Sequence, residues 1–114
     1  MRPKAFSKSL FRFAAAIASC AAIVAVAACA SPEEAGVNAA CSCENCSQGD
    51  FQSALNHAAA DRQQADALGC GGPYDDYRSC LNAYSTCVNG KYETNHDACG
   101  QEKAVLCRCS KEYC

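Results

Sequence analysis

The sequence contains no tryptophan, three prolines and a single methionine at its start, and aromatic residues make up only 8% of it. Past residue 29 the shortage of core material sharpens. The large apolar side chains there are Val37, Phe51, Leu55, Leu68, Leu81, Val88, Val105 and Leu106, with no isoleucine. Burying each contributes about 1.5–3 kcal/mol, whereas ordering a chain costs roughly 1.5 kcal/mol per residue. Hydrocarbon burial alone is therefore excluded as the source of a fold. Basic residues are also scarce in this part: Arg62, Arg78, Lys91, Lys103, Arg108 and Lys111 stand against twelve acids, a net charge of −6. That balance disfavours nucleic acid and anionic head groups as partners, since both are held by basic patches. No phosphate-binding glycine loop, Ser-His-Asp set or carboxylate pair with a recognisable role is present, and the sequence reads as non-enzymatic, with no cofactor implied.

What the chain has in abundance is cysteine and alanine. Of 114 residues, 12 are cysteine and 23 are alanine. About a tenth of the chain as cysteine is the level of a disulfide scaffold, and disulfides persist in oxidising compartments. The N-terminus agrees. Arg2, Lys4, Lys8 and Arg12 form a basic stretch without acids, followed by sixteen uncharged residues from Phe13 to Ala28. This is the layout of a secretory signal, and the run is shorter than the roughly 20 residues of a spanning helix.

The apolar run ends Val26-Ala27-Ala28-Cys29. Here the chain resembles a bacterial lipoprotein precursor, whose lipobox is an aliphatic residue, two small residues and a cysteine. The resemblance covers residues 1–30. It implies cleavage before Cys29, a diacylglycerol thioether on that cysteine and acylation of its amine, anchoring the protein in a lipid bilayer. More than one acyl chain is needed because one gives only marginal membrane binding. In the same family Ala30, rather than Asp, after the lipidated cysteine points to the outer membrane or cell surface. Two other cuts compete. Ile17-Ala18-Ser19-Cys20 also fits the motif but would leave an apolar stub, and a conventional cut at Ala28-Cys29-Ala30 would leave Ser31 first and a soluble secreted or periplasmic protein.

The expected organisation is thus a signal peptide over 1–28, a lipidated N-terminus and flexible tether over 29–40, and a cysteine-rich helical domain over 41–114. The tether rests on the small, polar and aperiodic run from Ala30 to Ala40. A first helix is expected from Phe51 to Leu68, where Phe51, Leu55, Ala58, Ala65 and Leu68 share a face, with Ser47 and Asp50 as a capping box and Gly69 as a stop. A second carries Tyr77, Cys80, Leu81, Tyr84, Cys87 and Val88 at helical spacing, closed by Asn89-Gly90. A third runs from about Asn95 to Lys111, weakened by Gly100. The fold class expected is all-α, a disulfide-stapled three-helix domain on an antiparallel helical hairpin.

Facing positions on such a hairpin have a nearly constant index sum. This pairs Cys80 with Cys107 and Cys87 with Cys99, and extends to Cys70 with Cys114. Cys41, Cys43, Cys46 and Cys109 then tie the N-terminal cluster to the hairpin, their partners left open. The layout resembles the coiled-coil-helix family in architecture, although that family spaces its pairs C-x9-C and the spacings here are C-x6-C and C-x7-C.

Four sets of residues invite chemistry. His96-Asp97-Ala98-Cys99 resembles part of the helix of secreted calcium-dependent phospholipases, but Tyr92 and Glu93 occupy the places of that family's two preceding cysteines. Cys43-Glu44-Asn45-Cys46 is a C-x-x-C, the pattern of a redox protein and an alternative to a structural role, here without a βαβ context. Cys41, Cys43 and Cys46 with Cys107 and Cys109 offer thiolates for zinc or copper, the alternative to a structural role. Finally, Tyr74, Tyr77, Tyr84, Tyr92 and Tyr113 suit an interface with an extracellular or envelope protein, while Tyr77 and Tyr84 share the stripe of Leu81 and are expected in the core.

Overall fold

The computed structural model describes residues 30–114. The signal segment, the lipobox and Cys29 lie outside the described residues. Helix α1, Pro32–Glu44, begins at Ser31, whose hydroxyl accepts a hydrogen bond from the amide of Glu34 at 3.4 Å. Pro32 supplies a pre-set φ in the first turn, and Glu33 and Glu34 complement the positive end of the helix dipole. The segment read as a tether is therefore a capped helix. Its alanines favour helix, and Val37 is its one large apolar side chain, so no amphipathic period marks it. α1 ends at Asn45, a left-handed residue with φ 55°.

Helix α2, Gln48–Ala67, follows the expected signals. Asp50 donates its amide to Ser47 Oγ at 3.1 Å, and Ser47 returns a 2.7 Å hydrogen bond to the Asp50 carboxylate. The C-terminus closes through Gly69, φ 71°, with Cys70 N on Ala65 O and Gly69 N on Asp66 O. This paired pattern satisfies two carbonyls of the last turn.

Helix α3, Gly71–Ala83, stops short of the expected span. Strands β1, Ser85–Val88, and β2, Lys91–Thr94, form an antiparallel hairpin, with Ser85 opposite Thr94 and Val88 opposite Lys91. Between them Asn89 and Gly90 both take positive φ, 51° and 75°. That is the two-residue turn whose twist matches paired strands, so Asn89-Gly90 joins strands and does not close a helix. The third expected helix is also divided: a 3-10 turn over His96–Cys99, helix α4 over Gly100–Cys109, and a last 3-10 turn over Lys111–Tyr113. The fold is mainly helical and disulfide-stapled as expected, but the described residues form four α-helices and a two-stranded sheet, not three helices alone.

Ser31–Cys114 form one compact unit, in which α1 packs on α2 and α3, and α3 on α4. No helix among the described residues is long and apolar enough to cross a membrane. The core joins Ala65, Cys70, Tyr74 and Leu106, flanked by Tyr77 and Tyr113. Tyr77 thus packs where expected. Tyr84 does not: it is 53% exposed, because the helix that would have turned it inward has already ended.

Tyr74 and Tyr113 meet at a ring-centroid distance of 6.3 Å. Burial raises both phenols above the ordinary tyrosine value, and the hydroxyl of Tyr113 is buried without a hydrogen-bond partner. A phenol raised on folding contributes stability below its unfolded value, about 10, which is lost as pH climbs through the folded value. Ultraviolet titration of the phenolates is expected to show Tyr74 and Tyr113 ionising above the ordinary tyrosine value, with stability falling in that alkaline window. Ionisation of Tyr74 and Tyr113 at the ordinary tyrosine value would contradict this packing.

Candidate functional site

All ten cysteines from Cys41 to Cys114 are paired: Cys41–Cys46, Cys43–Cys87, Cys70–Cys109, Cys80–Cys99 and Cys107–Cys114. Their Cα separations run from 4.8 to 5.9 Å, within the range a disulfide spans. The expected pairs Cys80–Cys107, Cys87–Cys99 and Cys70–Cys114 are replaced, and the reason is the hairpin. Cys70–Cys109 and Cys80–Cys99 do form a nested ladder, as an antiparallel arrangement requires, but it is centred on Asn89-Gly90. Each of these pairs, and each pair of facing strand residues, lies equally far on either side of that turn. The expected ladder assumed helix to Val88 and therefore placed the crossing several residues later.

With Cys87 on β1 and outside the ladder, it is free to reach Cys43 near the end of α1. Tyr92 N also donates to Glu44 Oε1 at 3.2 Å, so the hairpin is fastened to α1 by two adjacent links. Cys41–Cys46 closes the α1–α2 corner, and Cys107–Cys114 folds the C-terminal turn back on α4. Thus the C-x-x-C residues Cys43 and Cys46 are not bonded to each other, and Cys109, left open in the sequence, pairs with Cys70.

The thiolate sets read from sequence are not assembled as ligands in this oxidised framework. Cys80, Cys99 and Glu102 do bring ligand atoms within 4.8 Å of one another, but the two sulfurs are bonded together. A thiolate metal site here requires reduction of at least one bond. His96 and Asp97 are exposed on the 3-10 turn, and His57 is exposed on α2.

Among the described residues, two cavities bear on a site. One, about 260 Å³, sits at the α1–α2 corner over Cys41, Cys46 and Phe51. The other, about 200 Å³, lies between α1, α3 and β2. Its floor is Gly36, Val37, Ala40 and Leu81, and its polar groups include Arg78, Asn82, Tyr92 and His96. Gly36 is needed there, because a Cβ at that position would stand 2.7 Å from Asn82 Oδ1. Asn82 in turn donates to Pro32 O at 2.7 Å, locking α3 to the start of α1. Sequence reasoning missed this site because its residues come from α1, α3, both strands and the 3-10 turn, with α1 read as tether and β1 as helix. The chain matches no family model, no curated protein and no solved structure.

The five bonds close loops of very different length, from a separation of 5 for Cys41–Cys46 to 44 for Cys43–Cys87. In the chain-entropy account the longer closure stabilises by about 4 kcal/mol and the shorter by about 2 kcal/mol. Replacing Cys43 and Cys87 together by Ala is expected to lower unfolding free energy by about twice as much as replacing Cys41 and Cys46. Denaturant unfolding of the two double variants, with peptide mapping of the remaining bonds, checks both the order and the pairing.

Proposed function

We propose that the protein is an exported lipoprotein, held to a bilayer by acylated Cys29, whose disulfide-stapled domain serves a non-enzymatic binding or structural role at the cell envelope. The observation that supports this best is the closure of the cysteine account. Ten cysteines pair wholly within Cys41–Cys114, so none of these five bonds draws on Cys29. Five disulfides also suit an oxidising, extracytoplasmic compartment, which is where the signal segment would deliver the chain.

The capped start of α1 changes what such an anchor does. Only Ala30 separates Cys29 from the cap residue Ser31. At roughly 3.3–3.6 Å per residue, two residues of chain give a reach of about 7 Å from Cys29 to the cap residue Ser31. The domain then rides directly on the head-group layer and not on a flexible stalk. The surrounding charge favours a weakly charged or cation-covered surface, since Glu34 is exposed beside the anchor point. The residue after the lipidated cysteine, Ala30, assigns the protein to the outer membrane or cell surface in this reading.

Metabolic labelling with a radioactive fatty acid tests the proposal. The wild type is expected to carry label and sediment with membranes, and Cys29→Ser to lose the label and accumulate as full-length precursor. An unlabelled, soluble wild type with Ser31 as its first residue would instead establish the conventional cut.

A further inference from the structure

The cavity between α1, α3 and β2 has a chemical character unlike the rest of the domain. The chain from Cys29 onward carries twice as many acids as bases, yet no carboxylate lines this cavity, while Arg78 and His96 both do. Arg78 Nε is buried without a hydrogen-bond acceptor. Among the described residues both ion pairs belong to Arg62, which holds Asp66 and Asp75, and Arg78 makes none. A buried donor on a charged group with no acceptor is costly, and a guanidinium fork is suited above all to a planar two-oxygen anion.

One wall is aliphatic, while Asn82, Ser85, Tyr92 and Thr94 line the rest. Gly36, Val37, Ala40 and Leu81 give no hydrogen-bonding side chain, and the missing Cβ of Gly36 lets Asn82 and Arg78 come up against α1. A volume of about 200 Å³ corresponds to about seven waters at roughly 30 Å³ each, too small for a large ligand. Apolar walls with a few convergent polar groups are the ordinary make-up of a small-molecule site.

We propose that this cavity binds a carboxylate borne on a short aliphatic group, with the carboxylate on Arg78 and the hydrocarbon against Val37, Ala40 and Leu81. Asn82 and the His96 imidazole supply the flanking polar contacts. Two sources carry this chemistry: a free short-chain carboxylic acid, and the C-terminal carboxylate of a polypeptide ending in an aliphatic residue. The chain's own competitor is Glu33, one turn before Gly36 on α1. It is 2% exposed, its Oε2 has no hydrogen-bond partner, and it forms no ion pair with Arg78.

The test is a titration of the oxidised protein, prepared from the exported full chain, followed by amide NMR shifts. Acetate, butyrate and hexanoate are the free-acid probes, with hexanamide as the uncharged control. Saturable shifts at Gly36, Asn82 and Thr94 are expected, with affinity rising about fourfold per methylene until the cavity fills, from about 0.8 kcal/mol per buried CH2. Hexanoate is expected to bind at least about tenfold tighter than hexanamide, and Arg78→Gln to abolish that difference. Ala40→Leu, which fills the apolar end and keeps Arg78, is expected to remove the chain-length dependence. Acetyl-Ala-Val with a free C-terminus, against its C-terminal amide, separates the sources: tighter binding than hexanoate assigns the site to a chain end, and weaker binding to a free acid. Absence of saturable shifts, equal binding of hexanoate and hexanamide, or unchanged binding in Arg78→Gln overturns the proposal. So does the pattern in which Arg78→Gln loses stability, Glu33→Gln in the same chain restores it and hexanoate does not bind, because Arg78 then serves Glu33 alone.

Discussion

Cross-linking of the chain through ten half-cystines is the constraint on which the rest of this structure depends. Among the described residues seven hydrophobic side chains are buried, and two of them, Cys70 and Cys99, are themselves half-cystines. Leu106 and Leu81 are the largest aliphatic groups among them, and Leu68, Val88 and Val105 are exposed. Such a set cannot offset the entropy of ordering some 80 residues. The disulfides act on the other side of the balance by narrowing the unfolded ensemble. They also join every layer: α1 to the β-hairpin, the α2–α3 corner to the end of α4, α3 to the 3-10 turn, and the C-terminal turn to α4.

The turn at Asn89-Gly90 decides which cysteines meet. Strand pairing from Ser85 to Thr94 runs outward from it, and the bonds Cys80–Cys99 and Cys70–Cys109 continue the same antiparallel relation beyond the strands. Two residues with positive φ thus set a register carried some twenty residues each way. Moving that centre by a few residues is enough to exchange every partner in the ladder, which is why the expected pairs fail together and not one at a time.

Much of the local structure is legible in the sequence. The cap at Ser47 and Asp50 and the stop at Gly69 are where their residue types require them, because both depend on neighbours within one turn. The start of α1 is equally local in Ser31-Pro32-Glu33-Glu34, yet α1 has so little apolar surface that periodicity does not reveal it. The failure at Tyr84–Val88 has another cause. The helical spacing of Tyr77, Leu81, Tyr84 and Val88 continues through the segment, and Asn-Gly serves equally as helix end or strand turn. The choice is made by tertiary links, Cys43–Cys87 and Tyr92 to Glu44, that no local pattern contains. The cavity was hidden for the same reason, since Gly36, Arg78 and His96 are brought together only once α1 is a helix and β2 a strand.

A domain that takes its stability from cross-links needs little hydrocarbon and tolerates an acidic surface. Reduction of the intact protein with a phosphine, followed by alkylation and circular dichroism with amide NMR, tests the central claim most directly. The account predicts loss of helical signal and collapse of amide dispersion in native buffer, with recovery only on reoxidation. A reduced, alkylated protein that keeps its dispersed spectrum and unfolds cooperatively would contradict it.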